Sequence, residues 1–267
     1  MKKLFTFYSF LLIVLFLAAP SVQAATIRLS SPKVELELAP GETYSGEISA
    51  ENPADEEIKT RIYLEDWAYS PGGTGEKKFM PMGSAPLSAS RWITFSPAED
   101  LIKPFGRTTV RYTITVPPDA KGGYYSVLFF ETILGSTKDD EGVSVLVAGR
   151  ISALFFVQIK GTVEKTGTVE ALEIKAPQGN KPVELITTFK NSGNVDITVA
   201  GNFLIMDSDG GVQGRGELNK IYTFPGTTEK GSTPWIGRLA KGNYQVLVTY
   251  DLGKGQSLVE EKTLTVA

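Results

Sequence analysis

The stretch VSVLVAGRISALFFVQI, which runs from Val143 to Ile159, decides the fold. Apolar side chains occupy almost every odd-numbered position, whereas the even-numbered positions mix polar residues with leucine, phenylalanine and one arginine, Arg150. Because side chains of a β-strand alternate between the two faces of a sheet, the pattern predicts a long strand with one apolar face and one half-apolar face. Such a strand is either covered on both faces or offers an edge to a partner.

The rest of the chain also has the pattern of β-structure. Short runs rich in Val, Ile, Thr, Tyr and Phe are separated by turn signals such as Asn52–Asp55 and Asn191–Asn194, and no stretch shows a sustained period of 3.6 residues. We therefore predict an all-β fold of two tandem immunoglobulin-like β-sandwiches, each of about seven strands. The Gly/Pro-rich segment Ser70–Ala89 is expected to be a long loop.

The N-terminal residues 1–24 have the pattern of a signal peptide. Two lysines precede the apolar segment Leu4–Ala19, and Val22–Ala24 forms a small-x-small cleavage site. The alternative is that this segment is retained as an anchor. We expect an exported protein, located in the periplasm or at the cell surface, with the first sandwich at residues 25–161 and the second at 162–267. No membrane-spanning segment is expected in the mature chain.

The composition excludes several classes of site. The chain contains no histidine and no cysteine, which rules out Ser–His and Cys–His pairs, ordinary zinc sites and disulfides. With 27 basic and 30 acidic side chains it is mildly acidic, which argues against nonspecific nucleic-acid binding. No pair of carboxylates that would converge in one cleft is recognisable. We expect no catalytic residues, no metal site and no cofactor.

Two other motifs leave alternatives open. Trp67, Trp92 and Trp235 could form a sugar-binding platform, although one tryptophan per sandwich is usually a core residue. The segment Asp207–Gly210 starts like a calcium loop but lacks further acidic ligands at the required spacing, which favours a tight turn. A glycan partner is therefore the alternative to a protein partner.

The segment Gly122–Ile159 resembles the corresponding region of periplasmic pilus-assembly chaperones. In that family an aromatic-rich strand is followed by a polar loop and by a long alternating strand with one basic residue, ahead of a second immunoglobulin-like domain. Here these parts are Tyr124–Phe130, the loop Gly135–Gly142 and the strand Val143–Ile159. The resemblance implies a protein partner, namely a secreted or envelope subunit.

The resemblance also implies a binding site. In the family, one basic residue on the first strand and one on the long strand lie in the cleft between the domains and bind the C-terminal carboxylate of the partner subunit, a task that suits the planar guanidinium group. The matching positions are Arg28 and Arg150. The partner then adds a strand to the long strand. For this contact we name Val143, Val145, Leu146 and Val147. The alternative for both arginines is a solvated position on an exposed strand face.

A second resemblance predicts a different function. Pro40–Glu42, followed by Tyr44–Asn52 and later by Gly122–Tyr124, is similar to the first domain of cell-surface proteins that interact with peptidoglycan-bound WxL proteins. The hypotheses are thus a non-catalytic exported chaperone or scaffold that binds an extended segment of a subunit, and a cell-wall adhesion or scaffold protein. For Leu154 and Phe156, contact with the partner's groove is the alternative to packing against the second domain; because they lie near the hinge, we expect them to pack at the interdomain junction.

Overall fold

A computed structural model describes residues 27–138, 144–177 and 181–267. The first part of the chain forms the strands β1 (Arg28–Leu29), β2 (Lys33–Leu38), β3 (Thr43–Glu51), β4 (Ile58–Tyr69), β5 (Lys77–Met80), β6 (Ile93–Ser96), β7 (Glu99–Ile102), β8 (Arg107–Thr115), β9 (Gly123–Lys138) and β10 (Ser144–Ile159). The second part forms β11 (Gly167–Lys175), β12 (Val183–Asn191), β13 (Ile197–Met206), β14 (Val212–Glu217), β15 (Ile221–Thr223), β16 (Thr228–Trp235), β17 (Gly242–Gly253) and β18 (Gln256–Val266).

The strands of the first part build a sandwich of two sheets. One sheet has the order β1-β3-β8-β6 and the other has the order β2-β10-β9-β4-β5, with β7 paired to β4. Side chains from both sheets, among them Ile48, Ile114 and Phe155, are fully buried in one core between them. The first sandwich has more than the expected seven strands because it also contains β1, β5 and β7, which are short strands of four residues or fewer.

The strands of the second part build another sandwich. Its sheets have the orders β11-β12-β16 and β14-β13-β17-β18, with β15 paired to β13. Phe189, Phe203 and Tyr250 are buried in the core between them. The predicted fold class, two tandem all-β sandwiches, is confirmed. The helical element at Ser90–Trp92 is a single 3₁₀ turn, and within the described part of the chain no helix has the length and apolarity to cross a membrane.

The segment Ser70–Ala89, which the sequence predicts to be a loop throughout, contains the strand β5. Lys77–Met80 pairs with the end of β4, from Met80 opposite Asp66 to Lys77 opposite Tyr69. The buried carboxylate of Asp66 fixes the residues that follow, because it accepts hydrogen bonds from the Ala85 N–H at 2.8 Å and from the Ser88 hydroxyl at 2.6 Å. Four residues beginning with two lysines carry too little alternation to be recognised as a strand.

The two faces of β10 are buried in different clusters. Ala153 and Phe155 point into the core of the first sandwich, whereas Leu154 and Phe156 point to its outer side. There they join a separate group, here called the junction cluster, in which Phe224 comes from the second sandwich. The junction cluster consists of Trp67, Tyr125, Val127, Phe129, Phe156 and Phe224. The predicted packing of Leu154 and Phe156 at the interdomain junction is confirmed.

Candidate partner-binding edge and interdomain cleft

The strand β10 has two parts with different neighbours. From Leu154 to Ile159 it lies between β2, which runs parallel to it, and β9, which runs antiparallel. From Ser144 to Ala153 it pairs with β9, and among the described residues no strand pairs with its other side. We call Ser144–Ala153 the open edge. Within the described ranges no main-chain hydrogen bond reaches its outward N–H and C=O groups, and groups of this kind can pair with another chain.

The residues named for strand docking lie at the far end of the open edge. Val145 and Leu146 pair with Thr137 and Ser136 of β9, and Val147 pairs with Gly135 just before a shift in register. Val147 is 42% exposed. Val143, the first residue named for this contact, lies outside the described residues. The neighbouring Ile133 is 62% exposed, so the sequence reasoning missed one exposed apolar residue at this end.

Arg150 lies on the outer face of β10 against aromatic rings. Its guanidinium carbon is 4.3 Å from the ring centroid of Phe129 and 5.3 Å from that of Phe79, which are cation–π distances. Its Nη1 atom is 3.8 Å from a carboxylate oxygen of Glu65, and its side chain is 44% exposed. An incoming carboxylate could reach the guanidinium, but it would compete with Glu65.

Arg150 also belongs to a row of alternating charges across four strands. It lies opposite Glu131 of β9, which lies opposite Arg61 of β4, which lies opposite Glu99 of β7. Tyr63 donates a hydrogen bond of 2.8 Å to Glu131, and burial raises the pKa of the Tyr63 hydroxyl. Opposite charges on directly facing residues stabilise a sheet modestly. Arg150 therefore has a structural role in addition to any role in binding.

Arg28 lies in different surroundings. It belongs to the sheet that does not contain β10, opposite Glu51, and it lines a depression of about 300 Å³ together with Phe105 and Arg107. Among the contacts of the described residues, none joins Arg28 to Arg150. The two proposed clamp residues thus have different immediate surroundings, although β1 and β10 lie close to each other.

The cleft between the two sandwiches is lined by lysines that the sequence reasoning missed. It measures about 450 Å³ and contains the cations Lys33, Lys165 and Lys254 beside the carboxylates of Glu35, Glu37 and Asp196. The Lys33 Nζ atom is 4.5 Å from the ring centroid of Phe156 and 2.6 Å from Glu35. Lys33 reaches this position because Lys33 of β2 pairs with Leu154 of β10. A parallel pairing between such distant segments leaves no signal in the local sequence.

A polar contact between the sandwiches lies at the same cleft. The Tyr125 hydroxyl donates a hydrogen bond of 3.0 Å to the Asp196 Oδ1 atom and accepts one of 2.7 Å from the Asp196 N–H. Burial raises the pKa of the Asp196 carboxyl, while the hydrogen bond from Tyr125 and the charge of Lys165 act in the opposite direction. Burial also raises the pKa of Tyr125, so its hydroxyl stays protonated and remains a donor.

The tryptophans occupy core positions. Trp67 is 1% exposed in the junction cluster, with its ring centroid 5.3 Å from that of Phe224. Trp92 and Trp235 pack against the cores of the first and second sandwich respectively. Asp207 closes a turn, since one of its carboxylate oxygens accepts hydrogen bonds from the N–H groups of Asp209 and Gly211.

Comparison with known proteins gives matches of structure. No family model matches the sequence, and no curated protein matches it. A chain from a chaperone–tip adhesin complex of CFA/I fimbriae biogenesis is 16% identical with a TM-score of 0.50, over 89% of this chain and 99% of that one. The YadV chaperone is 11% identical with a TM-score of 0.46, and the class 5 fimbriae chaperone CfaA is 15% identical with a TM-score of 0.42; both comparisons cover 89% of this chain and 99% of the other.

At this level of identity the first of these matches shows the fold. It covers both sandwiches, and the resemblance to pilus-assembly chaperones that Gly122–Ile159 predicts is therefore confirmed for the architecture. The chain is chaperone-like in fold, with two tandem immunoglobulin-like domains as in the pilus-assembly chaperones.

Proposed function

We propose that this chain is a non-catalytic exported protein, a chaperone or scaffold of the periplasm, which binds an extended segment of a secreted or envelope subunit by β-strand addition. The observation that supports the proposal is the open edge, where no strand in the described part of the chain pairs with the outward side of β10 from Ser144 to Ala153. A long unprotected strand edge recruits other strands. The fimbrial chaperones that share the fold support a pilus or similar envelope subunit as the partner.

In strand addition the main chain and the side chains of the open edge would make different contributions to binding. Main-chain hydrogen bonds to the open edge would supply affinity, and alternating side chains would supply specificity. Val143, Val145, Leu146 and Val147 remain the residues that we propose for this contact. Val147 is 42% exposed, which suits an apolar side chain that becomes covered only when the partner binds.

The partner's terminal carboxylate has two candidate sites. Arg28 and Arg150 remain proposed clamp residues, and Arg150 is the one on β10 itself. Lys33 and Lys165 are the second candidate because they line the cleft between the sandwiches. An ammonium or guanidinium group in a half-enclosed cleft binds a carboxylate by a charge-assisted hydrogen bond.

The open edge is tested by site-specific crosslinking. A photoreactive residue at Val147 should capture one discrete envelope subunit in the intact cell, and the same residue at Val259 should not. Val259 is a matched control because it is 58% exposed on β18, far from β10 in the chain. Equal capture at the two positions, or none at Val147, would contradict strand addition.

The carboxylate site is tested with the subunit that Val147 captures. The substitutions Arg28→Ala, Arg150→Ala and Lys33→Ala are each compared for binding of this subunit with a free and with an extended C-terminus. Substitution of a clamp residue should weaken binding of the subunit with a free C-terminus. It should leave binding of the subunit with an extended C-terminus, and the thermal stability of the variant, nearly unchanged. Binding that is indifferent to the free carboxylate in all variants would favour the cell-wall scaffold.

A further inference from the structure

The segment Pro71–Gly75, here called the clasp, reaches from the end of β4 to the second sandwich. The Gly72 N–H donates a hydrogen bond of 2.7 Å to the Glu229 carboxylate, and the Gly73 carbonyl accepts one of 3.0 Å from the Tyr222 N–H. The Ser70 N–H donates to the Glu76 carbonyl at 2.8 Å and closes the base of the clasp. The clasp thus joins the two sandwiches by one bond between main chains and one bond from its main chain to a carboxylate.

Glycine is required in the clasp for two reasons. Gly73 and Gly75 have φ angles of +67° and +81°, in the left-handed region. A Cβ atom at Gly73 would also lie 3.0 Å from the Ile221 side chain and 3.1 Å from the Lys230 carbonyl, and one at Gly75 would lie 2.6 Å from the Tyr222 ring. The close approach to β15 and β16 therefore leaves no room for a side chain.

The clasp is separate from the other attachments between the sandwiches. The chain itself passes between them from Lys160 to Thr166, and the junction cluster packs Phe224 against Trp67 and Tyr125. The Tyr125 hydroxyl also binds Asp196, and the Gly123 N–H donates a hydrogen bond of 2.9 Å to the Asn194 carbonyl. The clasp instead contacts Ile221, Tyr222 and Glu229, and Tyr69 at its base stacks on Tyr222 with a centroid distance of 5.3 Å.

We propose that the clasp fixes the orientation of the two sandwiches relative to each other, so that they move as one body. Two domains joined by a linker and a modest interface are expected to reorient. A hydrogen-bonded contact outside the linker and the junction cluster opposes that rotation, because turning one sandwich would break the bonds at Gly72 and Gly73. The inference does not depend on the proposed function.

The test compares glycines that share a left-handed φ angle. Gly75→Ala and Gly73→Ala place a methyl group against the second sandwich, whereas Gly41→Ala places one where no atom lies within 4 Å, at a φ of +79°. All three variants place alanine at a left-handed φ angle, so an effect seen at Gly73 and Gly75 but not at Gly41 reports the clasp. Residual dipolar couplings of the full chain should fit one alignment tensor in the wild type and in Gly41→Ala, and two different tensors in Gly75→Ala and Gly73→Ala.

A second variant keeps the proposal testable should the alanine substitutions prevent folding. Glu229→Ala removes the acceptor of the Gly72 N–H without adding a group to the clasp, and Glu173→Ala on the exposed surface of β11 is its control. We expect Glu229→Ala to loosen the orientation less than Gly75→Ala does, but measurably. If every clasp variant that folds keeps one common tensor, the linker and the junction cluster hold the sandwiches and the proposal is wrong.

Discussion

The two parts of β10 share one alternating pattern and differ in their surroundings. From Leu154 to Ile159 the strand has a neighbour on each edge and buried side chains on each face. From Ser144 to Ala153 it has β9 on one edge and, among the described residues, no strand on the other. The difference comes from β2, whose residues Lys33–Leu38 pair with Leu154–Ile159 and with no earlier part of β10. Alternation determines the faces of a strand, whereas a distant segment determines its edges.

The largest expected difference between the two parts is in stability. Phe155 is fully buried and packs edge-on against Tyr112 at 5.0 Å, so Phe155→Ala should lower the free energy of unfolding by about 3–5 kcal/mol. Val147 is 42% exposed, so Val147→Ala should change it by less than about 0.5 kcal/mol. Denaturant titration of both variants measures the difference. A loss of similar size at Val147 would show that the open edge is covered in the free protein.

The next largest effect on stability should come from a substitution in β2 that exposes the edge of Leu154–Ile159, the covered part of β10. The Leu38 carbonyl accepts a hydrogen bond from the Lys160 N–H. Because the main-chain groups of a strand alternate in direction, those of Leu36, two residues earlier, also face β10. Leu36→Pro removes its N–H and should lower the free energy of unfolding by about 1–3 kcal/mol. Amide hydrogen exchange from Leu154 to Ile159 should then approach the rates of the open edge. Leu36→Ala, which keeps the N–H, is the control and should leave those rates low.

A smaller effect on stability should depend on pH, and it should come from contacts of the covered part of β10 alone. Tyr125 packs against Phe156 and binds Asp196, whose pKa is raised by burial. Because the folded state favours the protonated carboxyl, its contribution to stability is full below the ordinary aspartate pKa and is lost as the pH rises through the raised value. Melting temperatures between about pH 4 and pH 7 should reveal this loss in the wild type, and Asp196→Asn should remove it. Asp119→Asn, an exposed control, should leave the pH profile unchanged.

The smallest effect should come from Arg150, which lies near the boundary between the two parts. Its ion pair with Glu65 is long and half solvated and contributes little. Arg150→Ala should therefore lower the free energy of unfolding by about 0.5–1 kcal/mol, mostly through the lost contact with Phe129. A double-mutant cycle with Glu65→Gln isolates the ion pair. A coupling well above 1 kcal/mol would mark Arg150 as a structural residue, whereas a small coupling with a loss of subunit capture would mark it as the clamp.

Residue alternation sufficed to predict the faces of the long strands. The position of Leu154 and Phe156 near the hinge placed both residues at the interdomain junction, and this packing is confirmed. Residue alternation did not predict β5, because Lys77–Met80 is stabilised by its pairing with β4 and by the packing of Phe79 on Phe129, neither of which is local.

The candidate site was harder to predict than the fold. A single sequence does not reveal which basic residue lies in an interdomain cleft, since the answer depends on how two domains pack. Arg28, chosen as the cation of the first strand, lies beside Phe105 in another depression. Lys33 lies in the cleft because β2 runs parallel to β10. Pairings of this kind link segments that are far apart in the chain and carry no local signal.

The parallel pairing of β2 with β10 has a consequence for the order of folding as the chain emerges from the ribosome. The hairpin β9–β10 joins neighbouring segments and can form early, whereas β2 must wait until Ile159 has emerged, and closing so large a loop slows folding. Until then the final part of β10 is paired with β9 on one edge and unpaired on the other. A chain in which β2 has not yet docked therefore exposes a longer unpaired strand edge than the folded protein does, and its greatest risk of aggregation ends only when β2 pairs with β10.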